Sequence, residues 1–135
     1  METYNIEKDI TVFFVQADKF PEGIGAAWQK LHSLLPASDT RMRYGISYGS
    51  PGGAITYRAA AAETFPGEGT QKGCETFVIK AGPYTSEFIR DWKKDESVIG
   101  KTFQQLLHQP GIDPRGYCLE IYENANDVRC LVPLA

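Results

Sequence analysis

The run Tyr117-Cys118-Leu119-Glu120-Ile121-Tyr122 places a carboxylate inside a stretch of strand-forming residues, where glutamate is disfavoured. A period of two puts Cys118, Glu120 and Tyr122 on one face and Leu119 and Ile121 on the other. If the first face lines a cleft, Glu120 is a carboxylate among aromatic rings. Such a group attracts a cation or, with a raised pKa, exchanges protons. If that face is an outer one, Glu120 is solvated or pairs across strands with Arg129. A two-residue loop sets Arg129 opposite Tyr122 and diagonal to Glu120, and a loop one residue longer flips that parity.

Aromatic side chains make up 12% of the chain, with seven Phe, seven Tyr and two Trp, enough to wall a pocket. Tyrosine and tryptophan suit flat or cationic organic molecules, through stacking and the ring quadrupole. Tyr44, Tyr48, Tyr57, Trp92 and Tyr122 are open between core and pocket. Phe13, Phe14, Phe77, Phe103 and Trp28 sit on strand or helix stripes and read as core.

Other chemistry is thinly represented. Gly45-Ile46-Ser47-Tyr48-Gly49 spells GxSxG but lies in an alternating strand and opens no helix, so Ser47 lacks the strand-to-helix setting of a nucleophile elbow, and there is no Walker A or dinucleotide-binding glycine pattern. Cys74, Cys118 and Cys130 are an odd set without CxxC spacing, and His32 and His108 lie far apart, so neither a disulfide framework nor a metal site is expected. No cofactor is called for. Glu22, Glu63, Glu75, Glu87 and Glu96 read as surface carboxylates, and the mixed charges from Arg90 to Glu96 as a solvated segment.

The elements that position these residues follow from periodicity. Asp9 to Ala17 reads as a strand. Pro21 suits a first helical turn, with Ile24, Trp28, Leu31 and Leu35 as one apolar stripe before Pro36. Arg41 to Tyr48 alternates, with Met42, Tyr44, Ile46 and Tyr48 on one face; Ser50 to Gly53 is a turn, and Ala54 to Glu63 returns. Thr64 to Gly73 is a linker by its Pro and Gly content, Glu75 to Ala81 a strand, and Gly82-Pro83-Tyr84 a bend. Tyr84 to Trp92 fits a short strand or a helical turn. Ser97 is a candidate N-cap for a helix carrying Ile99, Phe103, Leu106 and Leu107, stopped by Pro110-Gly111. Tyr117 to Glu123 and Val128 to Leu134 are strands around a turn at Asn124 to Asp127.

Ile24-Gly25-x-x-Trp28-Gln29-x-Leu31 matches Ile99-Gly100-x-x-Phe103-Gln104-x-Leu106 at an interval of 75, which also sets Ile46 on Ile121. The first strands, with 75–81 set against 9–17, do not keep that interval. About ten extra residues, including Gly82 to Trp92, are therefore expected between strand and helix in the second half. The reading is an α+β fold: two strand-helix-strand-strand units, about 8–63 and 74–134, joined by 64–73 into a single domain over 1–135. Together they form a curved antiparallel sheet with two helices and a central cleft where the units meet.

Charge and hydropathy narrow the class. Lys plus Arg is 14 and Asp plus Glu 17, so a protein built to coat nucleic acid is not expected. No apolar run reaches the roughly 18 residues of a membrane span, and the N-terminus has no signal-peptide core, so a cytoplasmic protein without membrane contact is expected.

These features resemble the GyrI-like small-molecule-binding domains, the effector-binding domains of bacterial transcription activators. The resemblance rests on Leu119-Glu120-Ile121-Tyr122 followed by a strand ending in Val132-Pro133-Leu134, on Gly82-Pro83-Tyr84, and on the duplicated plan. It implies a cleft that binds hydrophobic or cationic small molecules, with Glu120 inside it. Tyr122, Trp92, Tyr57, Tyr48 and Phe13 are carried over as its aromatic lining. It also implies three functions: stand-alone drug or effector binding without covalent chemistry; hydrolysis of reactive electrophiles with Glu120 as acid or base; or interaction with a protein partner, a transcription regulator or gyrase. The non-catalytic binding protein is the leading expectation. The chain starts close to its first strand without a helix-turn-helix, so direct DNA binding is not expected.

Overall fold

Apolar alternation builds most of an eight-stranded antiparallel sheet. The structure, a computed structural model, describes residues 1–49 and 52–135. In chain order the elements are β1 (Glu2–Ile6), β2 (Ile10–Gln16), α1 (Ile24–Ser33), β3 (Arg43–Gly49), β4 (Ile55–Ala62), α2 (Glu68–Gln71), β5 (Glu75–Ile79), β6 (Gly82–Ile89), a 3-10 turn (Trp92–Lys94), α3 (Ser97–Leu107), β7 (Cys118–Tyr122) and β8 (Val128–Pro133). The strands lie in the order β1-β6-β8-β7-β3-β4-β2-β5. The expected α+β fold with a curved antiparallel sheet is what the chain forms.

The two faces of the sheet bury different things. On one, Val12, Phe14, Tyr44, Ile46, Leu119, Ile121 and Leu131 form a cluster with Ile6 of β1 and Ile79 of β5. Those last two come from opposite edges of the sheet, so the sheet curls over this face. On the other face α1 lays Ala27 and Leu31 on Phe13, Ala59 and Ala61, and α3 lays Phe103 and Leu106 on Val128, Cys130 and Val132. Each fully buried side chain of this size contributes about 1.5–3 kcal/mol. The helices thus cover β2 and β4, and β6 and β8. Between them the two central strands, β3 and β7, are left for a site.

The repeat is more regular than the sequence suggests. Read inward from either edge, β1-β6-β8-β7 and β5-β2-β4-β3 are the same arrangement. The counterpart of β2 is β6, not the segment 75–81. That segment holds β5, the counterpart of β1, and each of these two strands crosses to the edge of the other half, pairing with β2 and β6 respectively. Residues 17–23 separate β2 from α1 and residues 90–96 separate β6 from α3, equal lengths. The expected ten-residue insertion is therefore absent.

Other local expectations need correcting. Gly82-Pro83-Tyr84 opens β6 rather than bending the chain, and Tyr84 to Ile89 is strand. α1 begins at Ile24, beyond Pro21. Ser97 is the first residue of α3 and caps nothing; its amide and hydroxyl both donate to Asp95 Oδ1. Ser50 and Pro51 of the expected turn lie outside the described residues. Residues 64–73 are no loose linker, because α2 sits among them and buries Glu68. The Glu68 carboxylate accepts from Thr64 N–H and from Arg41 Nη1, each at 2.8 Å.

Candidate functional site

Glu120 sits mid-β7, on the helix-bearing face, with Gly45 of β3 opposite on one side and Cys130 of β8 on the other. It is 6% exposed. The Tyr57 hydroxyl, from β4, donates to Glu120 Oε1 at 3.0 Å, and the Tyr122 hydroxyl donates to the same oxygen. Trp28 of α1 donates its indole N–H to the Tyr57 hydroxyl at 3.1 Å. A chain of donors thus runs from helix to carboxylate. The carboxylate fits there because Gly45 has no side chain. A Cβ at Gly45 would collide with Glu120 Oε1 and lie 2.5 Å from the Tyr57 hydroxyl.

Rings close the site from outside. Tyr122 is held edge-on between two indoles, Trp28 at 5.4 Å and Trp92 at 5.8 Å between centroids. Phe20 stacks on Tyr57 at 6.3 Å. No cationic side chain reaches Glu120 among the described residues. Arg129, the cross-strand partner Glu120 would have on an outer face, lies opposite Ile121, so its side chain is on the other face of the sheet. There it holds Glu2 at 2.8 Å and Glu123 at 3.3 Å.

Burial without a cation decides the electrostatics. Loss of water raises the Glu120 pKa, and the Tyr122 and Tyr57 hydroxyls pull it back in part. Burial, then the carboxylate's charge, raises both phenols. The same two causes push the Cys118 thiol up to about 11, which leaves it protonated and unreactive at neutral pH. The chemistry on offer is a buried carboxyl that can hold a proton or exchange it for a bound cation.

Beside this carboxyl, between α1 and the β7–β8 turn, opens a cleft of about 770 Å³. Trp28, Trp92 and Tyr122 form its apolar wall, and His32, Arg43 and Lys93 also line it; Glu120 lies behind Tyr122. Of the six residues singled out in the sequence, Glu120, Tyr122, Tyr57 and Trp92 come together. Tyr48 does not: it sits on the opposite face, under the Arg58 guanidinium, and lines a separate groove of about 520 Å³. Phe13 is on the right face but wholly buried beneath α1, so it supports and does not line.

Sequence reasoning missed three residues. Trp28 was read as core because helical spacing does not separate a core ring from a cleft wall; it is half-buried and its N–H is spent on Tyr57. Phe20 lies in an irregular segment with no periodicity to mark it. Gly45 acquires its meaning only from the β3–β7 register. Among the described residues no group of three His, Cys, Asp or Glu side chains stands close enough to hold a metal ion.

No family model matches the sequence, and no curated protein matches it. Solved structures share the fold. The structure of SAV2435 bound to tetraphenylphosphonium aligns at a TM-score of 0.66 and 12% identity, covering 99% of this chain and 93% of that one. An integron cassette protein from the mobile metagenome of Vibrio cholerae aligns at 0.68 and 18% identity, covering 99% and 95%. A protein from Staphylococcus aureus MU50, named as a candidate bacterial transcription regulation protein, aligns at 0.60 and 12% identity, covering 98% and 96%. At these identities the likeness is one of fold.

Proposed function

We propose that this chain, a single domain of two repeated units over 1–135, is a GyrI-like small-molecule-binding domain. It takes hydrophobic molecules, lipophilic cations among them, in the cleft between α1 and the β7–β8 turn. One observation carries this reading: Glu120 is a buried carboxyl with no cation of its own, ringed by Tyr57, Tyr122, Trp28 and Trp92 beside an open cleft. A buried carboxylate is costly unless paired, and a cation supplied by a ligand removes that cost. The rings add apolar area and cation–π attraction. That a chain of this fold has been seen with tetraphenylphosphonium bound supports the same ligand class here.

For a cation to reach Glu120, the Tyr122 ring swings aside and its hydroxyl gives up Oε1. Binding then favours the ionised carboxylate, so affinity rises with pH and a proton leaves on binding. Calorimetric titration with tetraphenylphosphonium at pH 6 and pH 8 tests this, on the wild type and Glu120→Gln. Tighter binding at pH 8, with a loss of about 10- to 100-fold in the variant, supports the reading, that range matching 1.5–3 kcal/mol for an interaction with a charged group. Absence of binding, or equal affinity in the variant, refutes it.

A further inference from the structure

We infer that the ligand is amphoteric: besides the apolar or cationic part that sits against Tyr122, it carries a carboxylate, held by Lys93 and Arg43, which line the same cleft. This inference rests on the binding function proposed above and specifies the ligand class.

The acids and bases lining the cleft are unequally committed. Asp39 is taken by Arg41, whose Nη2 lies at 2.8 Å and whose Nε donates to both of its oxygens; Arg41 is itself completed by Glu68. Glu123 turns to Arg129 on the other face. The cations keep more in reserve. Lys93 makes no ion pair among the described residues, and its ammonium lies 5.7 Å over the Trp92 ring. Arg43 is held by the carbonyls of Arg41 and Asp39, and its one carboxylate contact is a 3.5 Å approach to Asp39, which Arg41 already occupies. Its charge is felt in the cleft: burial first, and then Arg43, lower the His32 pKa.

A third donor has no acceptor at all. The Trp92 indole N–H is buried and unpartnered, the single such side-chain nitrogen or oxygen among the described residues. That N–H is screened from solvent, so it gains an acceptor only if the Trp92 side chain shifts to meet a ligand oxygen. Two under-used cations and an orphan N–H thus border three rings. A simple lipophilic cation answers the rings and Glu120 but meets repulsion from Lys93 and Arg43. A molecule with an acid group at one end answers all of them.

Rhodamine B, a zwitterion, and its ethyl ester, a cation with the same ring system, isolate the acid group. Fluorescence anisotropy titrations of both are run on the wild type, Lys93→Gln and Arg43→Gln, at low and high salt. We expect the wild type to bind the acid at least 5-fold tighter than the ester, with a preference that shrinks in salt. Lys93→Gln should erase most of that preference and leave the ester unchanged or tighter. Because Lys93 is exposed, this variant folds whether or not Arg43→Gln disturbs its backbone contacts. Ester binding as tight as acid binding in the wild type, or an acid preference that survives in Lys93→Gln, overturns this inference and leaves the binding function standing. Failure of both dyes to bind overturns the two together.

Discussion

Gly45 and Glu120 face one another across the β3–β7 ladder, and the interval between them is 75 residues, the interval that carries the first helix onto the second. A pair that the repeat exchanges with itself lies on the axis relating the two halves. Two side chains at that point would compete for one space, so one half supplies the carboxylate and the other supplies none. This asymmetry turns a duplicated scaffold into a single central site. Gly45→Ala therefore forces the Glu120 carboxylate and the Tyr57 hydroxyl to move. We expect a loss of about 1–3 kcal/mol in denaturant unfolding, the usual cost of overpacking. Adding Glu120→Ala should recover part of it, since the colliding oxygen is gone. A Gly45→Ala variant as stable as the wild type contradicts the geometry.

Glu120 makes stability depend on pH in a particular direction. Its folded-state pKa is raised above the ordinary 4.5, so the folded state binds the proton more tightly than the unfolded chain does. The contribution is fully present below 4.5 and is lost as pH rises through the raised folded value. Each tenfold gain in proton affinity is worth about 1.4 kcal/mol. Glu120→Gln removes the titration and keeps an oxygen for the two phenols. Its melting temperature relative to wild type should climb between pH 4 and pH 8, and a difference that stays flat or falls argues against a perturbed carboxyl.

Much of this was legible from the chain because it is local. The alternation of Tyr44 and Ile46, or of Leu119 and Ile121, fixes which face each strand buries, and Glu120 stands out because it breaks that grammar. The helices follow from Leu31, Phe103 and Leu106. What local pattern does not carry is pairing. β1 is five residues, Glu2 to Ile6, with Glu2, Thr3 and Asn5 polar, and it exists as a strand because β6 lies beside it. The exchange of β1 and β5 between halves leaves no local trace, which is why Gly82 to Trp92 looked like an insertion. The parity of Arg129 depends on a loop length that the sequence leaves open by one residue, and that residue decides whether Glu120 has a cation.

The two tryptophans around Tyr122 should respond differently to the same change. Trp28→Phe keeps a ring on α1 but strips the donor from the Tyr57 hydroxyl. About 0.5–1.5 kcal/mol of stability should go with it. Trp92→Phe removes an N–H that bonds to nothing, so its polar cost is nil or favourable and what remains is the smaller ring. Equilibrium unfolding of the two variants side by side should show Trp28→Phe as the more destabilised. The reverse order would mean that Trp92 has a partner in solution.

Arg41 joins parts of the chain that would otherwise be independent. Its guanidinium bonds Glu68 of α2 at 2.8 Å, Asp39 ahead of β3, and the Ala62 carbonyl at the end of β4. Its side chain is 12% exposed and that of Glu68 only 4%. Arg41→Gln leaves Glu68 charged, buried and short of its cation, a change that costs about 3–5 kcal/mol when one partner of a buried pair is removed. The hydrogen bond from Arg41 is also the main cause holding the Asp39 pKa near 2, so in the wild type the stability tied to Asp39 is present above its ordinary 3.8 and fades as pH falls through about 2. Arg41→Gln should therefore unfold at markedly lower denaturant at pH 7, and the gap to wild type should narrow as pH falls towards 2, where Asp39 begins to take up its proton. A gap that is the same at both pH values would mean that Arg41 acts by packing on Phe13 and not through its charge.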